Sequence, residues 1–203
     1  MSRLSTLPFA ELLSRTAAKT PTPGGGAVAC ATGALAAALA GMVVSYSLGK
    51  KNLAAHQPDL ERAAHVLENA RGLFLGLAQE DEEAYGLVNE LMKLPESDPR
   101  RGELPAALQA SIQVPMAAIA AAADLLRLCE SLAPITNRHL HSDLGIAACL
   151  AEATGRASLW NVRVNAGMLT DEAARRRWMD QAAATLAEAS ARAAALDRRL
   201  QSA

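Results

Sequence analysis

The sequence is poor in aromatic residues and has almost no net charge. Two Trp, two Tyr and two Phe make up 3% of its 203 positions, whereas hydrophobic residues together make up 51%. That apolar content excludes a disordered chain, which would bury too little apolar surface. The formal net charge of −1 excludes the broad positive field that binding to nucleic-acid phosphates requires. We therefore expect one globular domain over residues 1–203, with no nucleic-acid partner.

Cysteine is scarce as well, and no export signal is visible. Cys30, Cys129 and Cys149 are odd in number, show no CxxC spacing and lie in apolar segments. These features are typical of reduced thiols in a protein core. The first 15 residues mix acidic and basic side chains and lack the apolar run of a signal peptide. Together these absences predict a cytoplasmic protein.

The longest uncharged segment covers residues 20–49. Its length would span a bilayer, but its many Gly, Ser and Thr residues offset the gain from its few strongly apolar ones. We expect a helix buried in a soluble bundle and no membrane partner, with a membrane span as the alternative. Ala29, Gly33, Ala37 and Gly41 recur at every fourth position and form a smooth stripe on which another helix can pack closely.

The apolar periodicity is helical along nearly the whole chain, and no segment alternates as a strand would. This predicts an all-α, single-domain helical bundle of about six or seven helices, with a long C-terminal helix and no sheet. The expected helices cover residues 8–19, 24–48, 58–91, 105–130, 143–153, 155–168 and 170–200. Ser142 or Asp143 would cap the fifth of them, and Gly49 would take a left-handed conformation after the second. An apolar seam at 182–200 would pack within the protomer or across a dimer.

Two segments in the first half of the chain combine residues that can carry chemistry. The run TPTPGGG at 20–26 leads into a helix, where glycines let a ligand lie against backbone N–H groups at the positive helix end. The alternative is a tight turn between two helices. The acidic run at 79–85 contains Asp81, which shares a helix side with Tyr85. If buried, this carboxylate is a candidate for acid–base work, and otherwise it belongs to a solvated acidic face.

The third segment covers residues 136–167. Asn161 and Asn165 are four positions apart on one helix face, where a pair of amides could bind the polar edge of a heterocycle. His139, His141 and Asp143 alternate and could hold a metal ion, but no further ligand cluster accompanies them. We therefore expect no metal.

Taken together, these segments resemble one family over nearly the whole chain. It is the formimidoyltetrahydrofolate cyclodeaminase and methenyltetrahydrofolate cyclohydrolase family, which includes the cyclodeaminase domain of formiminotransferase-cyclodeaminase and its stand-alone bacterial relatives. The order and spacing of the matching residues carry the resemblance. They are PTPGGG at 21–26, GKK at 49–51, Asp81 with Ala84 and Tyr85, Leu94 and Pro95, Val114 and Pro115, Asn137, Ser142 and Asp143, and NVRVN at 161–165. The chain departs from the family pattern at Thr136, His139 and His141.

The resemblance implies a homodimeric, α-helical folate enzyme without a metal or an organic cofactor. The expected reaction is hydrolysis of 5,10-methenyltetrahydrofolate to 10-formyltetrahydrofolate, because the 203 residues include no formiminotransferase domain to supply a formimidoyl substrate. The alternatives are cyclodeamination of formimidoyltetrahydrofolate and a non-catalytic folate-binding or interaction protein. Asp81 and Asp143 are the implied catalytic carboxylates. The implied substrate-binding residues are Pro23, Gly24, Gly25, Gly26, Lys50, Lys51, Tyr85, Asn137, Ser142, Asn161 and Asn165.

Overall fold

The computed structural model describes residues 4–201. Within that range it is a bundle of six α-helices with no strand, which confirms the all-α expectation. The helices are α1 (Phe9–Thr16), α2 (Gly25–Ser45), α3 (Gln57–Lys93), α4 (Leu104–Leu132), α5 (His141–Gly167) and α6 (Glu172–Gln201). Short 3₁₀ helices at Leu4–Thr6, Lys51–His56, Pro99–Glu103 and Arg138–Leu140 precede α1, α3, α4 and α5.

The uncharged helix α2 lies in the middle of the bundle, packed against α3 and α5. Its Ala36, Ala40 and Val43 are fully buried. The stripe of small residues serves a contact inside the protomer, because a Cβ atom at Gly33 would lie 2.6 Å from the ring of Phe74 in α3. Small residues at such a crossing let two helices approach closely. The apolar character of α2 thus has an explanation in core packing.

Two described stretches are long and apolar enough to cross a membrane, Gly25–Ser45 and Pro99–Leu132. About half of the most apolar window of each is buried inside the bundle, 56% and 50% respectively. Core helices of soluble proteins have the same length and composition. That the protein has no membrane partner stays a prediction.

The structure corrects two predictions about α5. The helix is continuous from His141 to Gly167, where two helices with a break near residue 154 were expected. Gly155 marks a close contact rather than a helix end, because a Cβ atom there would lie 3.1 Å from Leu186 of α6. The helix also begins one residue before Ser142, so Ser142 and Asp143 lie inside its first turn and neither side chain caps it.

Three further expectations have clear outcomes. The seam of α6 packs within the protomer, since its Ala189 and Leu196 belong to the main core. Gly49 has a positive φ of 73° in the turn that follows α2, as predicted. Cys149 is exposed, whereas Cys30 and Cys129 are buried, so the expectation of core thiols is wrong for Cys149. Cys149 lines an open groove between α5 and α6, which shows that an apolar sequence neighbourhood does not ensure burial.

Candidate functional site

A cavity of about 220 Å³ lies where the N-terminus of α2 meets α3, α4 and α5. We refer to it as the glycine-end cavity. The cavity brings together the glycine run, the acidic run and the amide pair, which lie far apart in the sequence. Its lining residues are Pro21, Thr22, Gly24, Gly25, Gly26, Asp81, Ala84, Tyr85, Ser111, Asn161, Val164 and Asn165.

Asp81 is the one carboxylate among the lining residues of this cavity. It projects from α3 and accepts a hydrogen bond from the backbone N–H of Ala27, in the first turn of α2. The positive end of the α2 dipole therefore lies beside it. Burial raises the pKa of Asp81 above its ordinary value of 3.8, and the Ala27 hydrogen bond opposes that rise in part. A half-buried carboxyl of this kind exchanges a proton closer to neutral pH than a surface aspartate does, so Asp81 does not belong to a solvated acidic face.

Gly26 determines where this carboxylate can lie. A Cβ atom at position 26 would overlap three atoms of Asp81, Oδ1, Cγ and Oδ2, at distances well inside 3.0 Å. Glycine is needed here for the close approach of a side chain, which a residue with a Cβ atom would displace. Gly24 and Gly25 border the same cavity, whereas Pro23 is buried in the turn and does not line it. The predicted role of Pro23 in substrate binding stays a prediction.

Two amide side chains from α5 form the opposite wall. Asn165 is buried, and its Nδ2 donates a 2.6 Å hydrogen bond to the backbone oxygen of Ser111 in α4. That bond fixes the amide so that its Oδ1 is free to accept from a ligand. Asn161 donates from Nδ2 to the oxygen of Ala157 at 3.4 Å. Its Oδ1 would be 3.8 Å from a Cβ atom at Gly25. The cavity thus presents acceptors that could hold a heterocycle rich in N–H groups.

The cavity also includes five residues that were not among the predicted site residues: Pro21, Thr22, Ala84, Ser111 and Val164. Ser111 lies in a long apolar helix and contributes its backbone oxygen, so its side-chain type carried no signal. Val164 stands within the NVRVN motif between the two asparagines, and its helical position relative to Asn161 could have placed it at the same wall. Tyr85 lies at the rim, where 42% of it is exposed.

Five predicted site residues lie elsewhere: Lys50, Lys51, Asn137, Ser142 and Asp143. They surround the C-terminal end of α2 and the start of α5, and we refer to them as the lysine-end cluster. The backbone N–H of Asn137 donates a 2.9 Å hydrogen bond to Oγ of Ser47, which ties the two segments together. The 21 residues of α2 separate this cluster from the cavity by about 30 Å. These five residues therefore lie outside the glycine-end cavity of the same protomer, and their part in substrate binding stays a prediction.

No metal centre is evident in the part of the chain that the structure describes, where no three His, Cys, Asp or Glu side chains could share an ion. His139 is exposed. The Nε2 atom of His141 is buried and has no hydrogen-bond partner among the described residues. Cys30 is not a candidate nucleophile. Burial and the nearby charges of Asp81 and Glu80 raise the pKa of its thiol to about 12, so the thiol stays protonated.

Several known proteins are similar to this chain in sequence or fold. A family model described as formiminotransferase-cyclodeaminase matches residues 8–185. A methenyltetrahydrofolate cyclohydrolase from Methylorubrum extorquens is 33% identical over 180 residues, which are 86% of each chain. The formimidoyltransferase-cyclodeaminase of Sus scrofa is 28% identical over 199 residues, which are 96% of this chain but 37% of that protein. The crystal structure of formiminotetrahydrofolate cyclodeaminase from Thermotoga maritima superposes with a TM-score of 0.90 at 33% identity, covering 98% of both chains. This chain therefore belongs to the formiminotransferase-cyclodeaminase family.

Proposed function

We propose that this protein hydrolyses 5,10-methenyltetrahydrofolate to 10-formyltetrahydrofolate. Membership of the family makes it a folate one-carbon enzyme. The proposed site rests on one observation. The half-buried carboxylate of Asp81 in α3 lies beside the N-terminus of α2 and faces a cavity with two amide side chains in its wall. The relative from Methylorubrum extorquens, matched along 86% of both chains, is a methenyltetrahydrofolate cyclohydrolase, which supports this reaction over the alternatives.

The reacting atom is the cationic amidinium carbon between N5 and N10 of the substrate. Asp81 takes a proton from a water molecule as the water oxygen bonds to that carbon, which gives a neutral tetrahedral intermediate. The carbon–N5 bond then breaks, N5 receives the proton from Asp81, and the carbon remains on N10 as a formyl group when its hydroxyl proton leaves. One water is consumed and one proton is released. The carboxylate charge also stabilises the cation during water attack.

The remaining cavity residues bind and orient the pterin ring. Asn161 and Asn165 offer amide oxygens to its N–H groups, and the glycines at 24–26 let the ring approach the backbone closely. Binding sites for whole drug-sized ligands hold about 300–1,000 Å³, whereas this cavity holds about 220 Å³. It therefore suits the fused heterocycle, and the p-aminobenzoyl-glutamate portion would extend beyond Tyr85 at the rim.

A second candidate reaction is the cyclodeamination of formimidoyltetrahydrofolate. There N10 attacks the formimidoyl carbon, ammonia leaves, and 5,10-methenyltetrahydrofolate forms. The same carboxylate could move the protons, because both reactions pass through a tetrahedral carbon bonded to N5 and N10. The Thermotoga maritima structure carries the name of this activity. We also propose that the protein is a cytoplasmic homodimer that needs neither a metal nor an organic cofactor.

Near-ultraviolet absorbance of methenyltetrahydrofolate tests the proposal directly. Enzymatic loss of the band demonstrates hydrolysis, and its appearance from formimidoyltetrahydrofolate demonstrates deamination. No change with either substrate would refute both reactions. Asp81→Asn should lower kcat by about 100-fold or more, since it removes the proton acceptor. The matched control is Glu80→Gln, which alters the exposed neighbouring acid and should stay within about threefold of the parent. Turnover should also persist in EDTA. If EDTA abolished turnover and zinc restored it, the proposal that the enzyme needs no metal would be contradicted.

A further inference from the structure

Helix α4 contains a proline at a position where a regular α-helix needs a backbone N–H group. Pro115 lies inside the 29 residues of Leu104–Leu132, well past the first turn, in which proline is tolerated. In an α-helix the N–H of each residue donates to the carbonyl oxygen four residues earlier, and proline has no N–H. The carbonyl oxygen of Ser111 therefore receives no hydrogen bond from residue 115.

The oxygen without its helical donor lies in the protein interior. Ser111 is 4% exposed, and Pro115 is buried as well. A buried carbonyl without a hydrogen bond costs free energy, so the fold has to supply another donor. The Ser111 hydroxyl is not that donor, since it donates to the backbone oxygen of Leu108 at 2.8 Å. The donor has to come from another element.

Asn165 of α5 supplies the missing hydrogen bond. Its Nδ2 atom lies 2.6 Å from the Ser111 oxygen, in a buried contact between residues 54 positions apart. Because a carbonyl oxygen can only accept, the nitrogen end of the amide has to face α4. The oxygen end, Oδ1, is left for other partners, and Asn165 lines the glycine-end cavity. A gap in the hydrogen bonding of α4 thus determines which way round this amide lies.

The proline ring acts on the same carbonyl. In a regular helix the ring would collide with the carbonyl four residues earlier, so the Ser111 carbonyl has to turn away from the helix axis. An N–H group at position 115 would remove this effect, because it would draw the oxygen back into the helical ladder and compete with Asn165 for it. The residue type at position 115 therefore controls a bond in the wall of the cavity, although Pro115 itself does not line it.

We propose that Pro115 is a positioning residue for substrate binding, which acts through the Ser111 carbonyl and the Asn165 amide. Its missing N–H keeps the Ser111 oxygen available. That oxygen holds Asn165 with Oδ1 as the acceptor for an N–H group of the heterocycle. This inference rests on the proposed folate chemistry, and it concerns binding of the ring rather than the proton transfers at Asp81.

Kinetics of Pro115→Ala tests the role in binding. The variant restores the N–H, and KM for 5,10-methenyltetrahydrofolate should rise about 2- to 10-fold, as for the loss of one neutral hydrogen bond. The kcat should stay within about threefold, because the lost bond serves ground state and transition state alike. Asn165→Ala should raise KM at least as much. The double variant Pro115→Ala/Asn165→Ala should show no further rise, since both changes act through one amide.

Two controls isolate the N–H group. Lactic acid at position 115 has the side chain of alanine but an ester oxygen in place of the N–H, so this protein should keep a KM near that of the wild type. Pro105→Ala changes an exposed proline in the first turn of α4, where backbone N–H groups have no helical acceptor, and it should leave KM unchanged.

Three kinetic outcomes would overturn the proposal. One is a KM that is unchanged in Pro115→Ala or in Asn165→Ala. Another is a KM that rises equally with alanine and with lactic acid at position 115, which would assign the effect to the ring instead of the N–H. The last is a double variant in which the two single effects on KM multiply, as they would if Pro115 only shaped the helix.

Thermal stability gives a readout that does not depend on activity. Asn165→Ala leaves the buried Ser111 oxygen without a donor, so it should lower the melting temperature. In the Pro115→Ala background the restored N–H satisfies that oxygen, and the same change should cost clearly less. Equal losses in both backgrounds would overturn the link between Pro115 and Asn165. Wild-type protein that is inactive with both folates would instead refute the proposed function, and the melting temperatures would still decide whether that link exists.

Discussion

Replacing Gly26 by alanine perturbs the position of Asp81 without changing any group that takes part in chemistry. The added Cβ atom would overlap all three terminal atoms of the Asp81 carboxyl group, at distances well inside the 3.0 Å that real Cβ contacts keep. The carboxylate must therefore recede by roughly 1 Å, and a displacement of this size at a reacting centre costs about 100-fold in rate. The hydrogen bond from Ala27 would be strained by the same movement. We expect kcat to fall about as far as in Asp81→Asn.

Steady-state kinetics of the wild type, the two single variants, the double variant and a control measures this effect. The double variant Gly26→Ala/Asp81→Asn should be no worse than either single variant, because two changes that act through one group are not additive. Gly76→Ala is the matched control, since a Cβ atom there meets nothing within 4 Å. It should leave kcat unchanged and add helix stability of about 0.8–1 kcal/mol. A Gly26→Ala enzyme within threefold of wild type would refute the argument that close approach holds Asp81 in place.

Two further predictions concern stability. Because burial raises the pKa of Asp81, its contribution to stability is fully present below the ordinary value of 3.8 and is lost as pH rises through the raised folded pKa. Asp81→Asn should therefore raise the melting temperature relative to wild type near neutral pH, and the difference measured by calorimetry should vanish in acid. Gly33→Leu should overpack the contact with Phe74, where a Cβ atom alone would come within 2.6 Å of the ring. The expected loss in the free energy of unfolding is about 1–3 kcal/mol or more. The control Gly41→Ala, which has open space around it, should not lower the melting temperature. An unchanged melting temperature for Gly33→Leu would contradict the close packing.

The helices follow from local properties of the sequence, and most were predictable for that reason. Periodic apolar residues and the glycine and proline boundaries of α2 and α3 act over one or two turns. The left-handed conformation of Gly49 is local in the same sense. The break expected near residue 154 was wrong because Gly155 does not end a helix. Its missing side chain makes room for Leu186 of α6, which is far away in the sequence. A glycine that ends a helix and a glycine that admits a neighbouring side chain look the same in sequence.

The sequence by itself determined which residue types were present for folate chemistry, but the tertiary structure decided where they could act. Asp81 was compatible with a solvated acidic face until α2 placed the N–H of Ala27 and the bare backbone of Gly26 against it. A carboxylate acquires a raised pKa from the elements that exclude water around it, and those lie about 55 residues away along the chain. The separation of Lys50 from Asp81 was equally hidden, because it depends on the unbroken length of α2 and on the direction in which α3 and α5 pack on it.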